Sequence, residues 1–511
     1  MEYILKDDKK LLVLPALISF ILTLLLLFKY SYPISWDVYY HIHMIDLYLN
    51  NGLVFWDYTT VAPKGRLIMY PPLFHLCFAT ISKLFNINPG ELCKIAQPFF
   101  SFYLIGTITY VSYKLSNVKC GVITGFLAMF CFVTFNRTVI CTPATIAIGL
   151  FMCSCLYIHL SVEENSMKYL LLSAVSLALI WNLHMATAIL TCGVVGLYGL
   201  IQLLRKKLSL KFVLIYVFVV IILGMPWWIY IAVNYSLIFN SIGGTNSLIT
   251  NFFFRYYGII PSVLLLVGYY VLLKEKNSRT LFLLVWTLSL IIVSQVYLLG
   301  FNTVSIRILE VAAYPLIIVS AIGLYYIYED IIKSAKVKNI LLIMIVLLSV
   351  TSALLYVDSY TPDILAQEDS NGTVFDENIH KIVNPVTTIF KPTVIASRFA
   401  DSSLAHSRYE VMQYFIEKKS ANLLVSEDAI MDTIIVSTSN TPVVYGGFTE
   451  TIPEYVTDPV HIIKGWSNKE ELHKLKVENL LLKQNTTTPY YAEDVYNNSH
   501  YKICEIREKY R

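Results

Sequence analysis

Asp37 and His41 are the first residues whose types and spacing can do chemistry. They stand four apart in Trp36-Asp37-Val38-Tyr39-Tyr40-His41, just after the first long apolar run. On a helix they share a face, one turn apart. A carboxylate at a membrane interface can take the proton of an acceptor hydroxyl, with the imidazole orienting it. The same two groups can instead be ligands of a divalent cation such as Mg or Mn. Asp37 is equally suited to capping a helix over residues 38–49.

Arginines and a second histidine recur at the ends of later apolar runs. Arg307 follows Gly300-Phe301-Asn302 and opens the run Ile308–Tyr326. Its guanidinium stays charged at any working pH and offers paired N–H donors to a phosphate. The alternative is an arginine that marks the membrane boundary. Glu310 lies one turn on and is placed to pair with it. Arg137, in Asn136-Arg137-Thr138, is either a second phosphate contact or an interfacial anchor. His184, in Trp181-Asn182-Leu183-His184, falls between two apolar runs. A polar residue there is a candidate for function, or else a cap.

These positions frame a polar segment, residues 29–91. It carries Trp56-Asp57, Pro63-Lys64-Gly65-Arg66 and Tyr70-Pro71-Pro72-Leu73-Phe74-His75. Asp57, Arg66 and His75 are candidate substrate contacts. Turn capping and contact with anionic head groups are the plainer alternatives. His43 and Asp46, three apart on a neighbouring face, read as a solvated or locally paired face, with a catalytic role as the alternative. The stretch Asn240–Arg255, with Gly243-Gly244, is a candidate mobile cover.

Composition sets the class. The 511 residues are 56% hydrophobic and 14% charged, against roughly 25% charged in soluble domains. Residues 1–357 hold the apolar runs, and residues 358–511 are polar, so a multi-pass membrane domain precedes a soluble one. A net charge of +4 gives no reason to expect nucleic acid. The nine cysteines show neither a disulfide framework nor zinc-like spacing and read as small apolar filler. No small-residue cleavage site follows the first apolar run, which reads as an uncleaved span.

Apolar runs at 11–28, 92–113, 120–136, 143–160, 168–183, 185–204, 210–232, 257–273, 281–300, 308–329 and 338–357 predict about 11 crossings. Lysines and arginines at 6–10, 205–207, 274–279 and 333–338 then fall inside, provided that the short run 71–86 does not cross. Segment 29–91 and the C-terminal domain are then external. In that domain, strand-like runs (422–426, 442–445, 479–483, 501–506) alternate with helix-like ones (407–418, 428–437, 469–476), which predicts a small α/β domain. Residues 361–400 look loop-rich. Asp401, His406, Glu427, Asp428 and Gly446-Gly447 read as surface or turn residues.

The Trp36–His41 and Tyr70–His75 motifs, the Arg137 loop, His184 and Arg307-Ile308-Leu309-Glu310 resemble GT-C membrane glycosyltransferases, above all the relatives of oligosaccharyltransferase catalytic subunits. The likeness spans about residues 11–330. It implies a GT-C-like helical membrane domain with a catalytic first external loop. It further implies an inverting transfer of sugar from a polyprenyl-phosphate or diphosphate donor, with Arg307 and Arg137 on the donor phosphate. Two departures matter. Cys141-Thr142-Pro143-Ala144-Thr145 has no carboxylate where those enzymes carry a second acidic motif, which puts a cation site in doubt. The Trp-Trp-Asp-Tyr-Gly acceptor motif is also missing; the one Trp-Trp pair, Trp227-Trp228, lies in an expected span. The expected acceptor is therefore unspecified and not a sequon. The rival readings are a non-catalytic GT-C-like scaffold or lipid-linked-sugar binding protein, and a lipid or polymer transporter. The transporter reading lacks the paired internal repeats and broken midplane helices common in that class, and the ionisable residues gather at one face instead of at mid-depth.

Overall fold

The structure is a computed structural model that describes residues 9–29, 32–33, 35–235, 246–301, 303–359, 402–446 and 469–510. The Gly243-Gly244 pair, Asn302, residues 361–400, Asp401, Gly447 and the side chain of His406 lie outside the described residues.

Apolar runs become helices whose ends are set by capping side chains. The first helices are α1 (Leu14–Lys29), α2 (Trp36–Asn51), α3 (Leu73–Phe85), α4 (Pro89–Leu115), α5 (Val118–Phe130) and α6 (Phe132–Thr138). Then come α7 (Pro143–Glu163), α8 (Met167–Trp181), α9 (Met185–Leu204), α10 (Leu210–Gly224), α11 (Pro226–Asn234) and the short α12 (Ile249–Asn251). The membrane half closes with α13 (Ile259–Glu275), α14 (Ser278–Gln295), α15 (Ser305–Tyr326) and α16 (Ala335–Ser359). Asn88, Asn117, Ser209 and Asn277 start α4, α5, α10 and α14, each accepting a first-turn amide that no helical carbonyl can reach.

Six described helices are long and apolar enough to cross a membrane, or up to eight if each bent pair is one span. The multi-pass class expected from composition holds, while the described helices that pass by length and apolar composition number fewer than the expected 11 or so crossings. Two expected spans are broken. Residues 120–136 split into α5 and α6, bent by 85°. The freed backbone groups find partners: Thr134 Oγ1 donates to Ala128 O (2.6 Å) and Tyr314 OH to Thr134 O (3.1 Å). Non-helical backbone at membrane depth persists only where such partners exist. Residues 210–232 break at Met225-Pro226 with a 60° bend, because proline lacks the N–H that would continue the ladder. Asn182 Nδ2 takes the freed carbonyl of Leu223 at 2.9 Å.

At the core stands α15, with 89% of its apolar window buried. It lies against α13 so closely that a Cβ on Gly268 would sit 2.0 Å from the Val319 carbonyl oxygen, and one on Gly323 2.2 Å from that of Leu264. Small residues of this kind let membrane helices meet backbone to backbone. The contact fixes α15, whose first two turns carry Arg307 and Glu310.

The C-terminal region folds as α17 (Ser402–Lys418), β3 (Leu423–Ser426), α18 (Ala429–Ser439), α19 (Lys469–Leu475), β4 (Val477–Lys483), β5 (Ala492–Asn497) and β6 (Tyr501–Ile506). Two short strands in the first polar segment, β1 (Trp56–Asp57) and β2 (Arg66–Leu67), pair with each other, while β3 to β6 form one mixed sheet in the order β3-β4-β6-β5, with β3 and β4 parallel and the other pairs antiparallel. Expected strand 442–445 is reduced to a bridge between Val443 and Leu424. Asp428, expected as a surface or turn residue, is buried at a helix start. Its carboxylate meets Arg408 Nη2 at 2.9 Å and caps α18 through Ile430 N at 3.0 Å.

This sheet is tied to the first polar segment. Val443 N donates to Thr59 O (2.9 Å), Ala62 N to Val443 O (3.0 Å) and Val61 N to Tyr445 O (3.1 Å). Residues 59–62 thereby bond to the 443–445 segment, which itself bridges to β3 through Leu424. Asn440 Nδ2 also donates to Asp46 Oδ2 on α2 at 2.8 Å.

Candidate functional site

Asp37, His41, Arg137, His184 and Arg307 line one cavity of about 610 Å³. They come from α2, α6, the α8–α9 junction and α15, so the fold unites residues up to 270 positions apart. Glu310, Tyr40, Tyr70 and Thr142 share the wall.

A chain of charges crosses it. Arg307 Nη2 lies 3.8 Å from Asp37 Oδ2, and Arg307 Nη1 lies 3.6 Å from Glu310 Oε2. Glu310 Oε2 also accepts from Arg137 Nη2 at 2.7 Å. Arg137 is nearly buried, its side chain 8% exposed, whereas that of Arg307 is 49% exposed. Two arginines and two carboxylates balance in formal charge. Glu310, whose pairing with Arg307 is also read from spacing, is the bridge between the arginines; its bond to Arg137, 173 residues away, has no sequence signal.

The backbone biases the cavity toward anions. Asp37 is the second residue of α2, Thr142 caps α7, His184 caps α9 and Val304 caps α15, and all four line the cavity. Four helix N-termini thus converge on it. Each has first-turn N–H groups that no helical carbonyl can reach and carries the equivalent of about half a positive charge. Phosphate is the kind of group such ends hold.

His41 is oriented differently from the spacing argument. Its Nδ1 makes a 2.9 Å hydrogen bond with His75 Nε2, and the two rings stack at 5.1 Å. His41, His75 and Tyr40 form a buried aromatic wall behind Asp37. Burial first, then the neighbouring His75 and His184, hold the His41 pKa well below its ordinary value, so the ring is neutral near pH 7.

Asp57, Arg66 and His75 do not line the cavity. Asp57 is buried and accepts from Thr59 N (2.9 Å), with His43 Nε2 at 3.0 Å and Arg66 Nε at 3.9 Å. Burial alone raises its pKa; His43, Arg66 and Thr59 outweigh that and hold the carboxyl far below its usual range. Arg66 Nε donates to Thr60 Oγ1 (2.8 Å), and its guanidinium lies 5.6 Å from the Tyr40 ring centre. This network braces the loop that backs Tyr40 and meets the C-terminal sheet. Trp227 and Trp228, expected inside a span, sit in α11 beyond the break. Trp227 stacks on Phe55 at 5.2 Å and donates to Met69 O at 3.3 Å.

A cation at Asp37 and His41 finds poor support in the donor set. The charged partner of Asp37 is Arg307, His41 Nδ1 is taken by His75, and no group of three His, Cys, Asp or Glu able to hold a metal occurs among the described residues.

No protein-family model matches the chain, and no curated protein does. Solved structures do match in fold. The Archaeoglobus fulgidus oligosaccharyltransferase aligns over 94% of this chain and 70% of its own, at 12% identity and a TM-score of 0.57. Other structures of it hold dolichol-phosphate with an inhibitory peptide, or zinc with sulfate. ArnT from Cupriavidus metallidurans, bound to undecaprenyl phosphate, aligns over 98% of both chains at 12% identity and TM-score 0.59. Arabinofuranosyltransferase AftD from Mycobacteria aligns over 98% of this chain and 40% of its own, at 13% identity and TM-score 0.59. The chain shares the fold of these GT-C membrane glycosyltransferases.

Proposed function

We propose that the chain is an integral membrane glycosyltransferase that moves a sugar from a polyprenyl-phosphate or diphosphate donor to an acceptor hydroxyl, with inversion, on the external face of the membrane. The observation that carries this reading is the convergence of Asp37, His41, Arg137, His184 and Arg307 on one cavity ringed by helix N-termini. The lipid phosphates held by two fold neighbours fit an anion site of this kind.

In the proposed reaction the donor phosphate meets Arg307, the more exposed guanidinium, with Arg137 behind it. The acceptor hydroxyl lies against Asp37. Its oxygen attacks the anomeric carbon on the face opposite the phosphate, and the bond from that carbon to the phosphate oxygen breaks. The hydroxyl proton passes to Asp37, and the charge left on the lipid phosphate is matched by the two arginines and the helix ends. His41, neutral and fixed by His75, shapes the wall beside Asp37. In the free protein Arg307 lies 3.8 Å from Asp37, so a bound phosphate competes with that carboxylate for the guanidinium. The C-terminal domain, joined to the loop through residues 59–62, is proposed to position the acceptor.

The test is incubation of the purified protein in lipid nanodiscs with radiolabelled polyprenyl-phosphate sugars, with and without EDTA. Sugar release or transfer that persists in EDTA is expected, because two guanidinium groups line the site proposed for the phosphate and pair with its two carboxylates, Asp37 and Glu310. Binding without turnover to any acceptor or to water supports the scaffold reading instead.

A further inference from the structure

His184 has two edges that do different things. Its Nδ1 accepts the backbone N–H of Thr187 at 3.3 Å and lies 2.8 Å from the Thr187 hydroxyl. A backbone amide can only donate, so Nδ1 carries no proton. The neutral ring must therefore hold its hydrogen on Nε2. Nε2 makes no hydrogen bond with any described residue, and His184 lines the cavity that holds Arg137 and Arg307. The first turn of α9, through Ala186 and Thr187, lines the same wall. Capping thus fixes the tautomer, and the tautomer presents an N–H donor to the space where the two guanidinium groups converge.

We propose that His184 is a neutral Nε2–H donor to the phosphate of the lipid carrier, completing with Arg137 and Arg307 a three-sided anion cradle at the α9 N-terminus. This rests on the glycosyltransferase reading above. A neutral donor suits a leaving group. It bonds the departing phosphate oxygen without bringing a proton that would have to be shed at each turnover, and it adds no further positive charge beside two arginines.

The test uses variants that keep the cap and change the donor. Asp and Asn are both good N-caps. His184→Asp removes the N–H and sets a carboxylate against the phosphate; His184→Asn keeps a capping oxygen and an amide N–H. Affinity for sugar-free undecaprenyl monophosphate is measured in nanodiscs, with thermal unfolding of each variant alongside. His184→Asp is expected to bind about 10- to 100-fold more weakly than His184→Asn, with unfolding temperatures alike. Equal affinity of the two variants, strong or weak, overturns the proposal and leaves His184 as a cap. Wild-type affinity that drops about tenfold between pH 7 and 8.5 also overturns it, because that marks an imidazolium contact. A wild-type protein that binds no undecaprenyl phosphate rejects the glycosyltransferase reading itself.

Discussion

Gly268→Ala tests whether the α13–α15 contact sets the position of Arg307 and Glu310. The added Cβ would lie 2.0 Å from the Val319 carbonyl oxygen, whereas ordinary contact begins at 3.4 Å. The helices must part by the difference, about 1.4 Å, because the obstacle is backbone and no side-chain rotation relieves it. Overpacking of this order costs about 1–3 kcal/mol. A displacement of about 1 Å at a catalytic group costs about 10²-fold in rate. The assay is turnover of a lipid-linked sugar in nanodiscs beside thermal unfolding. Gly193→Ala on α9 is the control, since nothing lies within 4 Å of its added Cβ. Gly268→Ala is expected to unfold earlier and to turn over about 10- to 100-fold more slowly, with the control unchanged. Wild-type stability and rate in Gly268→Ala would refute the claim that this contact fixes the arginine-bearing helix.

Arg307→Lys keeps the charge and loses the planar fork, so lipid-phosphate affinity should fall about tenfold, and Arg307→Ala should fall further; equal affinity of all three proteins removes Arg307 from the phosphate site. Asp57→Asn leaves Arg66 and His43 without their buried counter-charge and should cost about 3–5 kcal/mol in chemical unfolding, with little change in donor affinity if the protein is kept cold. The depressed pKa of His41 means that the unfolded chain binds its proton first as pH falls. Its contribution to stability is complete above about pH 6.5 and is lost below it. The unfolding temperature should therefore drop from pH 7.5 to 5.5, less steeply in His41→Gln; identical slopes would contradict a buried neutral ring.

What the sequence disclosed follows from which physics is local. Apolar runs locate helices because burial in lipid is decided residue by residue, and the run 308–329 appears as α15 almost intact. The arginines and histidines at run ends were visible because ionisable residues are rare within apolar runs, where a charge in hydrocarbon is costly. Asn182, Thr134 and Tyr314 gave no such signal, yet they satisfy the backbone that breaks two expected spans. Pro226 marks one break; the other, at Cys131, has no proline or glycine to announce it. Asp57 and Arg66 looked like surface contacts because their burial depends on Tyr40, His43 and Thr60, which only the folded loop brings near. Strand β5 was missed because its Glu493 and Asp494 face solvent at the sheet edge and blunt the apolar alternation. The convergence of four helix N-termini needs the whole bundle.

The measurement closest to the central claim is turnover of a lipid-linked sugar by Asp37→Asn against wild type in nanodiscs, with donor affinity and unfolding temperature measured on the same samples. The Asp37→Asn rate is expected to be lower by about 10²–10⁴-fold at unchanged folding and with the donor still bound. Wild-type turnover by Asp37→Asn would contradict that claim.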